Sequence, residues 1–232
     1  MAKRSSTATN LEATASVRPD DSKVSRAQWV YDVLRKGIRA GQYVRAERIR
    51  EEEVARTLGV SRTPVREALS RLQARGLLEV APGGLVVASL TRPQIHELYA
   101  MREILEGSAA RFAAQHASSS DIATLRRLAV LFERSLGDPS KLAHVNREFH
   151  GAIYEAANNR YLLRTLDELN DALALLPSTT FTVTGRPEKA IEEHAEIVAA
   201  IERRDADSAE RLARSHIQRA QEARLEMMFQ LG

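Results

Sequence analysis

A hairpin signal set within a helical pattern limits the folds open to this chain. Leu77-Leu78-Glu79-Val80 reads as a short strand, Pro82-Gly83-Gly84 as a turn, and Leu85-Val86-Val87-Ala88 as the returning strand. Apolar and β-branched runs on either side of Pro and Gly favour extended pairing around a tight turn. Before the hairpin, Trp29, Val30, Val33, Leu34 and Ile38 recur at helical spacing, and Gly41 ends that helix. A second helix is expected over about 51–58, with acidic residues in its first turn, where the helix dipole favours them. A third is expected over about 62–75, its core face made by Val65, Ala68, Leu69 and Leu72. Three helices followed by a two-stranded hairpin give the layout of a winged helix-turn-helix, with a small structural ribbon as the alternative reading of the hairpin.

Beyond Thr91-Arg92-Pro93 the pattern is almost wholly helical. Leu98, Met101, Leu105, Ala109 and Phe112 mark one helix, and further helices are expected over about 120–136, 139–157, 159–176, 187–203 and 207–229. Gly137-Asp138-Pro139 and Gly185-Arg186-Pro187 punctuate them. The fold class is therefore mostly α, a winged helix-turn-helix over 25–90 and an all-α antiparallel bundle over 91–232. Residues 1–24 are rich in Ser, Thr and Ala and read as a disordered tail. Glu12, Asp20 and Asp21 argue against a transit peptide there. The chain has no Cys, which excludes disulfides and thiolate metal sites. No apolar run approaches the roughly 20 residues of a membrane span and no signal-peptide core is present, so no membrane partner and a cytoplasmic location are expected.

The net charge of +3 is unevenly placed: residues 26–90 carry 12 Lys/Arg against 7 Asp/Glu, and those from Thr91 onward carry 18 against 21. A basic segment joined to a slightly acidic one suits a nucleic-acid-binding domain with a partner domain. Within it, Gly59 permits a tight turn, Ser61 is placed to cap the third helix, and Pro64 falls in the first turn, where its missing N–H costs little. Arg62 and Arg66 are four residues apart and share the face opposite Val65 and Leu69. Two guanidinium groups at an exposed helix start suit guanine edges or phosphates in the major groove of double-stranded DNA. A solvated basic face is the bland alternative.

Four polar residues in the helical half share a geometric relation. Asn146 and His150 are spaced i, i+4 on one helix, while His194 and His216 each lie 11 residues from Asp205, where a turn is expected. Equal distances from the turn of an antiparallel hairpin bring two side chains to one height. Two imidazoles on neighbouring helices, with an i, i+4 pair on a third, would make a transition-metal site. His96, His116 and His144 show no such relation and read as surface residues. Arg102 falls on the apolar face of its helix, where an unpaired charge is costly; an i, i+4 salt bridge to Glu106 is one explanation. Thr179, Thr180, Thr182 and Thr184 offer hydroxyls, or simply make a polar loop.

The run LGVSRTPVREAL, then RLQARGLLEV and a glycine-containing wing, resembles the signature of the GntR family of bacterial transcription regulators over about residues 26–90. NREFHGAIYEAANN and EEHAEIVAAIERRDADSAERLARSH resemble the FCD ligand-binding domain of its FadR-like subfamily. The resemblance implies that Ser61, Arg62, Thr63 and Arg66, flanking Pro64, contact an operator together with the wing glycine, Gly84 or Gly83. It implies a homodimer on a palindromic site, and a repressor released or re-oriented by an effector. Where some members carry an Arg in the second helix that reaches DNA, this chain has Glu52. The resemblance further implies a divalent metal ion, zinc, nickel or similar, held by Asn146, His150, His194 and His216, with Asn146 standing where the family has Asp. AMREILE resembles a stretch whose Arg, here Arg102, clamps the carboxylate of a small effector. A metal-dependent hydrolase using the His cluster is the competing reading, weakened because Glu193 is expected to project away from the ligands and no nucleophile constellation appears. An architectural DNA-binding protein is a third reading, which leaves the His-bearing half unexplained.

Overall fold

The computed structural model describes residues 25–43, 48–176 and 178–230, and the expected tail over 1–24 lies outside them. The described residues divide into two compact units. One takes in those up to Thr91 together with those of 170–177, and the other those of Arg92–Leu169 and Ser178–Gly232. The short stretch at 170–177, assigned from sequence to the helical half, thus belongs with the first unit.

In the first unit, α1 (Arg26–Arg39) starts at Ser25, whose hydroxyl accepts from the Gln28 N–H. Helix α2 (Glu51–Leu58) ends at Gly59, whose φ of 63° is the left-handed conformation that glycine adopts at no steric cost. Helix α3 (Arg62–Ala74) follows after two residues. Leu34 of α1, Leu58 of α2 and Leu69 and Leu72 of α3 close over one core with Leu77, Leu78 and Val87. Leu175 joins this same core from the distant 170–177 segment.

The hairpin is present as β2 (Leu78–Ala81) and β3 (Gly84–Val87), paired antiparallel with Leu78 opposite Val87 and Val80 opposite Leu85. A third strand, β1 (Arg48–Ile49), pairs with the other edge of β3 and gives the order β1-β3-β2. Two residues are too few to leave an alternation pattern in a sequence, so this strand was not anticipated.

The second unit is built from α4 (Arg92–His116), α5 (Ser119–Glu133), α6 (Pro139–Ala156), α7 (Arg160–Leu173), α8 (Arg186–Glu202) and α9 (Ala206–Gln230), with a 3-10 turn at Thr180–Thr182. The last residues of α7, from Asn170, already belong to the first unit. Ser118 and Asp121 form a reciprocal capping box on α5. Asp138 caps α6, whose first residue is Pro139. The side chain of Asp205 accepts from the Ser208 N–H and tethers the start of α9. Helices α4 and α9 make the most extensive pair, because Ala109, Ala110 and Ala113 on one and Ala209 and Ala213 on the other are small enough to let the backbones approach. Phe132, Leu142, Val145, Phe181 and Ala190 form a smaller apolar cluster. No helix among the described residues is long and apolar enough to cross a membrane.

Candidate DNA-reading face and candidate metal centre

The start of α3 presents the residues expected to read DNA. Ser61, Arg62, Thr63 and Arg66 are exposed and Pro64 is half-buried, while Val65, Ala68, Leu69 and Leu72 turn inward. Ser61 takes the extended N-cap backbone, but its hydroxyl makes no cap bond to the helix, contrary to the sequence expectation. Gly84 opens β3 and is exposed at the tip of the hairpin. Here Arg48 of β1 donates to the Pro82 carbonyl at 3.1 Å and lies across the turn. Gly83 has a φ of +99°, and a Cβ there would meet the Arg48 guanidinium at 1.8 Å. Arg48 is a wing residue that no local pattern singled out, since its partner lies 34 residues away.

Arg62 and Arg66, at the start of α3, are paired with α2. Arg62 Nη1 lies 3.0 Å from Glu52 Oε1 and Nη2 lies 3.4 Å from Glu51 Oε2. Arg66 Nε lies 3.4 Å from Glu51 Oε1. Glu52 therefore stands against Arg62, one of the two arginines expected to read DNA.

The second unit gathers the histidines singled out by spacing. His150 of α6, His194 of α8 and His216 of α9 are all buried, and each offers a nitrogen within 4.8 Å of the others. Two of them are oriented from behind by carboxylates. Glu106 of α4 places Oε2 at 2.7 Å from His150 Nδ1. Glu193 of α8 places Oε2 at 2.6 Å from His216 Nδ1. A carboxylate accepts, so the proton of the His216 ring belongs on the Nδ1 beside Glu193, which leaves Nε2 its lone pair, and the Glu106 oxygen favours the same tautomer for His150. Those two Nε2 atoms face each other at 3.2 Å.

The donor set fits a cation. With both protons on Nδ1, two Nε2 lone pairs at that distance repel unless something positive lies between them, and two nitrogens about 2.05 Å from one tetrahedral ion are about 3.3 Å apart. His194 is fully buried, with neither ring nitrogen hydrogen-bonded among the described residues. It stacks on Phe149 at 4.2 Å and meets the edge of Phe132 at 4.6 Å, which fixes its ring. The Asn146 side-chain oxygen is likewise buried with no hydrogen-bond partner. Burial, then the positive charge that the neighbouring His216 and His150 rings and Arg186 would add, pushes the His194 imidazole well below its usual range. His216 is lowered for the same reasons, burial first and then His150 and Arg186. Both rings therefore remain neutral, the form that binds metals.

Around this cluster the charges are matched. Burial alone would raise the Glu106 carboxyl, but Arg102 and then His150 outweigh it and hold the group well below the carboxylate range. Arg102 donates from Nε to Glu106 Oε1 at 2.7 Å and stacks over Tyr99 at 4.9 Å. The structure thus places Arg102 in the i, i+4 bridge that its position on an apolar face suggested. Glu193 accepts from Arg186 at 2.9 Å and from Arg219 at 3.1 Å. Its carboxylate is not directed away from the cluster, as its place next to His194 suggested, but grips His216 from α9. Held by three donors, it is no free general base. A cavity of about 10 Å³, room for about one water, is lined by Glu106, His150, Tyr154, Ile197, Ala213 and His216, among others. The other three histidines, His96, His116 and His144, are exposed.

Comparison with known proteins bears on both units. The model for bacterial regulatory proteins of the gntR family matches residues 26–87, and the FCD domain model matches residues 97–219. The uncharacterized HTH-type transcriptional regulator YdhC of Bacillus subtilis is 27% identical over 190 residues, which span 80% of this chain and 85% of that protein. A Paenarthrobacter nicotinovorans protein named as a probable D-xylose utilization operon transcriptional repressor is 31% identical over 201 residues, spanning 84% of this chain and 87% of that protein. The solved structure of E. coli McbR/YncC has a TM-score of 0.77 at 25% identity, covering 88% of this chain and 99% of that one. The chain therefore belongs to the GntR family of bacterial regulatory proteins: it is a DNA-binding transcription regulator, not an enzyme, that joins a winged helix-turn-helix to an FCD effector-binding domain.

Proposed function

We propose that this regulator is a cytoplasmic repressor that binds a palindromic operator as a homodimer and responds to a small carboxylate effector at a metal centre. Asn146, His150, His194 and His216 hold a divalent ion such as zinc or nickel. Ser61, Arg62, Thr63, Pro64 and Arg66, with Gly84 at the wing, face the operator. The converging Nε2 atoms of His150 and His216, beside a fully buried and unpartnered His194, carry the metal reading. A relative 31% identical is named as a probable repressor, and paired recognition helices read a site with matching two-fold symmetry.

The choice of a carboxylate follows from charge. The buried Glu106 and Glu193 offset the buried Arg102 and Arg186. A divalent ion added among neutral imidazoles leaves an unbalanced positive charge, which an anion satisfies. The bound ion supplies Lewis-acidic charge for that carboxylate. A cavity near 10 Å³ does not admit one as it stands, so effector entry has to part its lining. That lining includes Glu106 on α4, the helix that follows the wing after Ala88–Thr91. A ligand that favours the opened lining biases α4, the differential contact an allosteric effector requires.

Arg102 is proposed as the second anchor of the carboxylate, once Glu106 yields it. The 2.7 Å bond to Glu106 favours a second role, in which Arg102 holds Glu106 against His150. A thermal-shift screen of hydroxy acids, sugar acids and dicarboxylates on zinc- or nickel-loaded full chain tests the function. A carboxylate that raises the melting temperature of loaded protein and has no effect after chelation is the expected result. Full metal content in a His150/His194/His216 triple alanine variant would overturn it. In Arg102→Ala, loss of the effector response with metal content intact supports the anchor, whereas loss of metal supports the holding role.

A further inference from the structure

We infer that Glu51 and Glu52 are specificity-determining residues, which compete with DNA phosphates for Arg62 and Arg66 and so suppress binding to DNA that offers no matching bases. This rests on the proposed assignment of those arginines to DNA. The geometry is a bridge: Glu51 reaches both Arg62, at 3.4 Å, and Arg66, at 3.4 Å, and Glu52 takes the other nitrogen of Arg62 at 3.0 Å. Both guanidinium groups of the reading face thus have a carboxylate partner on α2 before DNA arrives.

The pairs are not there for stability. The side chains of Arg62, Arg66 and Glu52 are 56%, 69% and 77% exposed and that of Glu51 is 30% exposed, and ion pairs at a solvated surface contribute little to folding. What they alter is the exchange made on binding. An arginine that turns to a phosphate gives up its carboxylate and leaves that negative charge beside the DNA backbone, whatever the sequence. A bidentate bond to guanine O6 and N7 more than offsets this loss, whereas a lone phosphate contact does not. The glutamates therefore weaken phosphate-only binding more than matched binding, and fewer counterions are released on nonspecific DNA. Glu53, the next residue, is buried and takes no part.

The test uses the full chain and two probes: a random-sequence 30-base-pair duplex, and a duplex enriched from a random pool by the unmodified protein. Fluorescence anisotropy is followed over a range of salt concentrations. The Glu51→Gln/Glu52→Gln variant should bind the random duplex roughly three- to tenfold more tightly near 0.1 M salt, with a salt slope steeper by about one to two. The enriched duplex should gain less, so discrimination falls. Equal gains on both duplexes, or an unchanged salt slope, would overturn the inference. The same substitutions in an Arg62→Ala/Arg66→Ala background should change random-duplex affinity less than about twofold. A full effect there would show that the glutamates repel DNA without involving the arginines, and the competitor role would fall. If Arg62→Ala/Arg66→Ala itself binds the enriched duplex normally, the DNA-reading assignment fails first and takes this inference with it.

Discussion

Glu106 shows how much one buried carboxylate can do. One oxygen receives the Arg102 guanidinium at 2.7 Å and the other lies 2.7 Å from His150 Nδ1. The residue is 3% exposed, so its charge is tolerable only with both partners present. With its proton on the Nδ1 that faces Glu106, His150 keeps Nε2 for the ion of the proposed metal centre. Glu106→Gln keeps the shape but loses the charge, and in the proposed metal centre an orienting partner of this kind is worth about 10–100-fold in affinity. Competition against a chromophoric chelator should show that loss, and an unchanged affinity would remove Glu106 from the centre. The i, i+4 spacing of Asn146 and His150 and the equal offsets of His194 and His216 from Asp205 were legible in the sequence. The two orienting glutamates were not, because Glu106 meets α6 from α4, and Glu193 meets α9 from α8.

Among elements, the wing depends on a backbone that most residues cannot adopt. Gly83 combines a φ of +99° with the Arg48 guanidinium where a Cβ would sit. Gly83→Ala should destabilise the first unit by about 1–2 kcal/mol from the backbone alone, read as a lower urea midpoint. Adding Arg48→Ala removes the clash and leaves the strain, so most of the loss should remain; complete recovery would show that crowding, not φ, makes glycine necessary. The hairpin itself was visible in its Pro-Gly-Gly turn and flanking apolar runs. Strand β1 was invisible, because its two residues become a strand only by pairing with β3, where Arg48 stands opposite Val86. The hydroxyl of Ser61 also departs from expectation: residue type favours a cap, but whether the bond forms depends on the rotamer its surroundings allow.

For the whole molecule, the residues of 170–177 decide where one unit ends. Asp171 is buried, with Arg35 Nε 2.8 Å from both of its oxygens, Arg39 Nε at 2.5 Å and Arg75 Nη1 at 3.6 Å. Leu175 sits in the same core as Leu34 and Leu72. Asp171→Asn keeps the shape but gives up charge-assisted bonds worth about 1.5–3 kcal/mol each, so the first unit should unfold at a clearly lower denaturant concentration. An unchanged midpoint would show that the arginines are equally well served by other partners. A boundary drawn at Thr91 from the turn residues, which assigned everything after it to the helical half, left this segment in the other unit. By itself the sequence determined the helices, the hairpin, the basic start of α3 and the family, because periodicity, turn chemistry and contiguous motifs are written along the chain. Only the tertiary structure decided which carboxylate faces which histidine, which arginines are already paired, and that residues 170–176 pack with the N-terminal core. Each of these depends on where separate helices meet, and contacts between residues so far apart leave no period in the sequence.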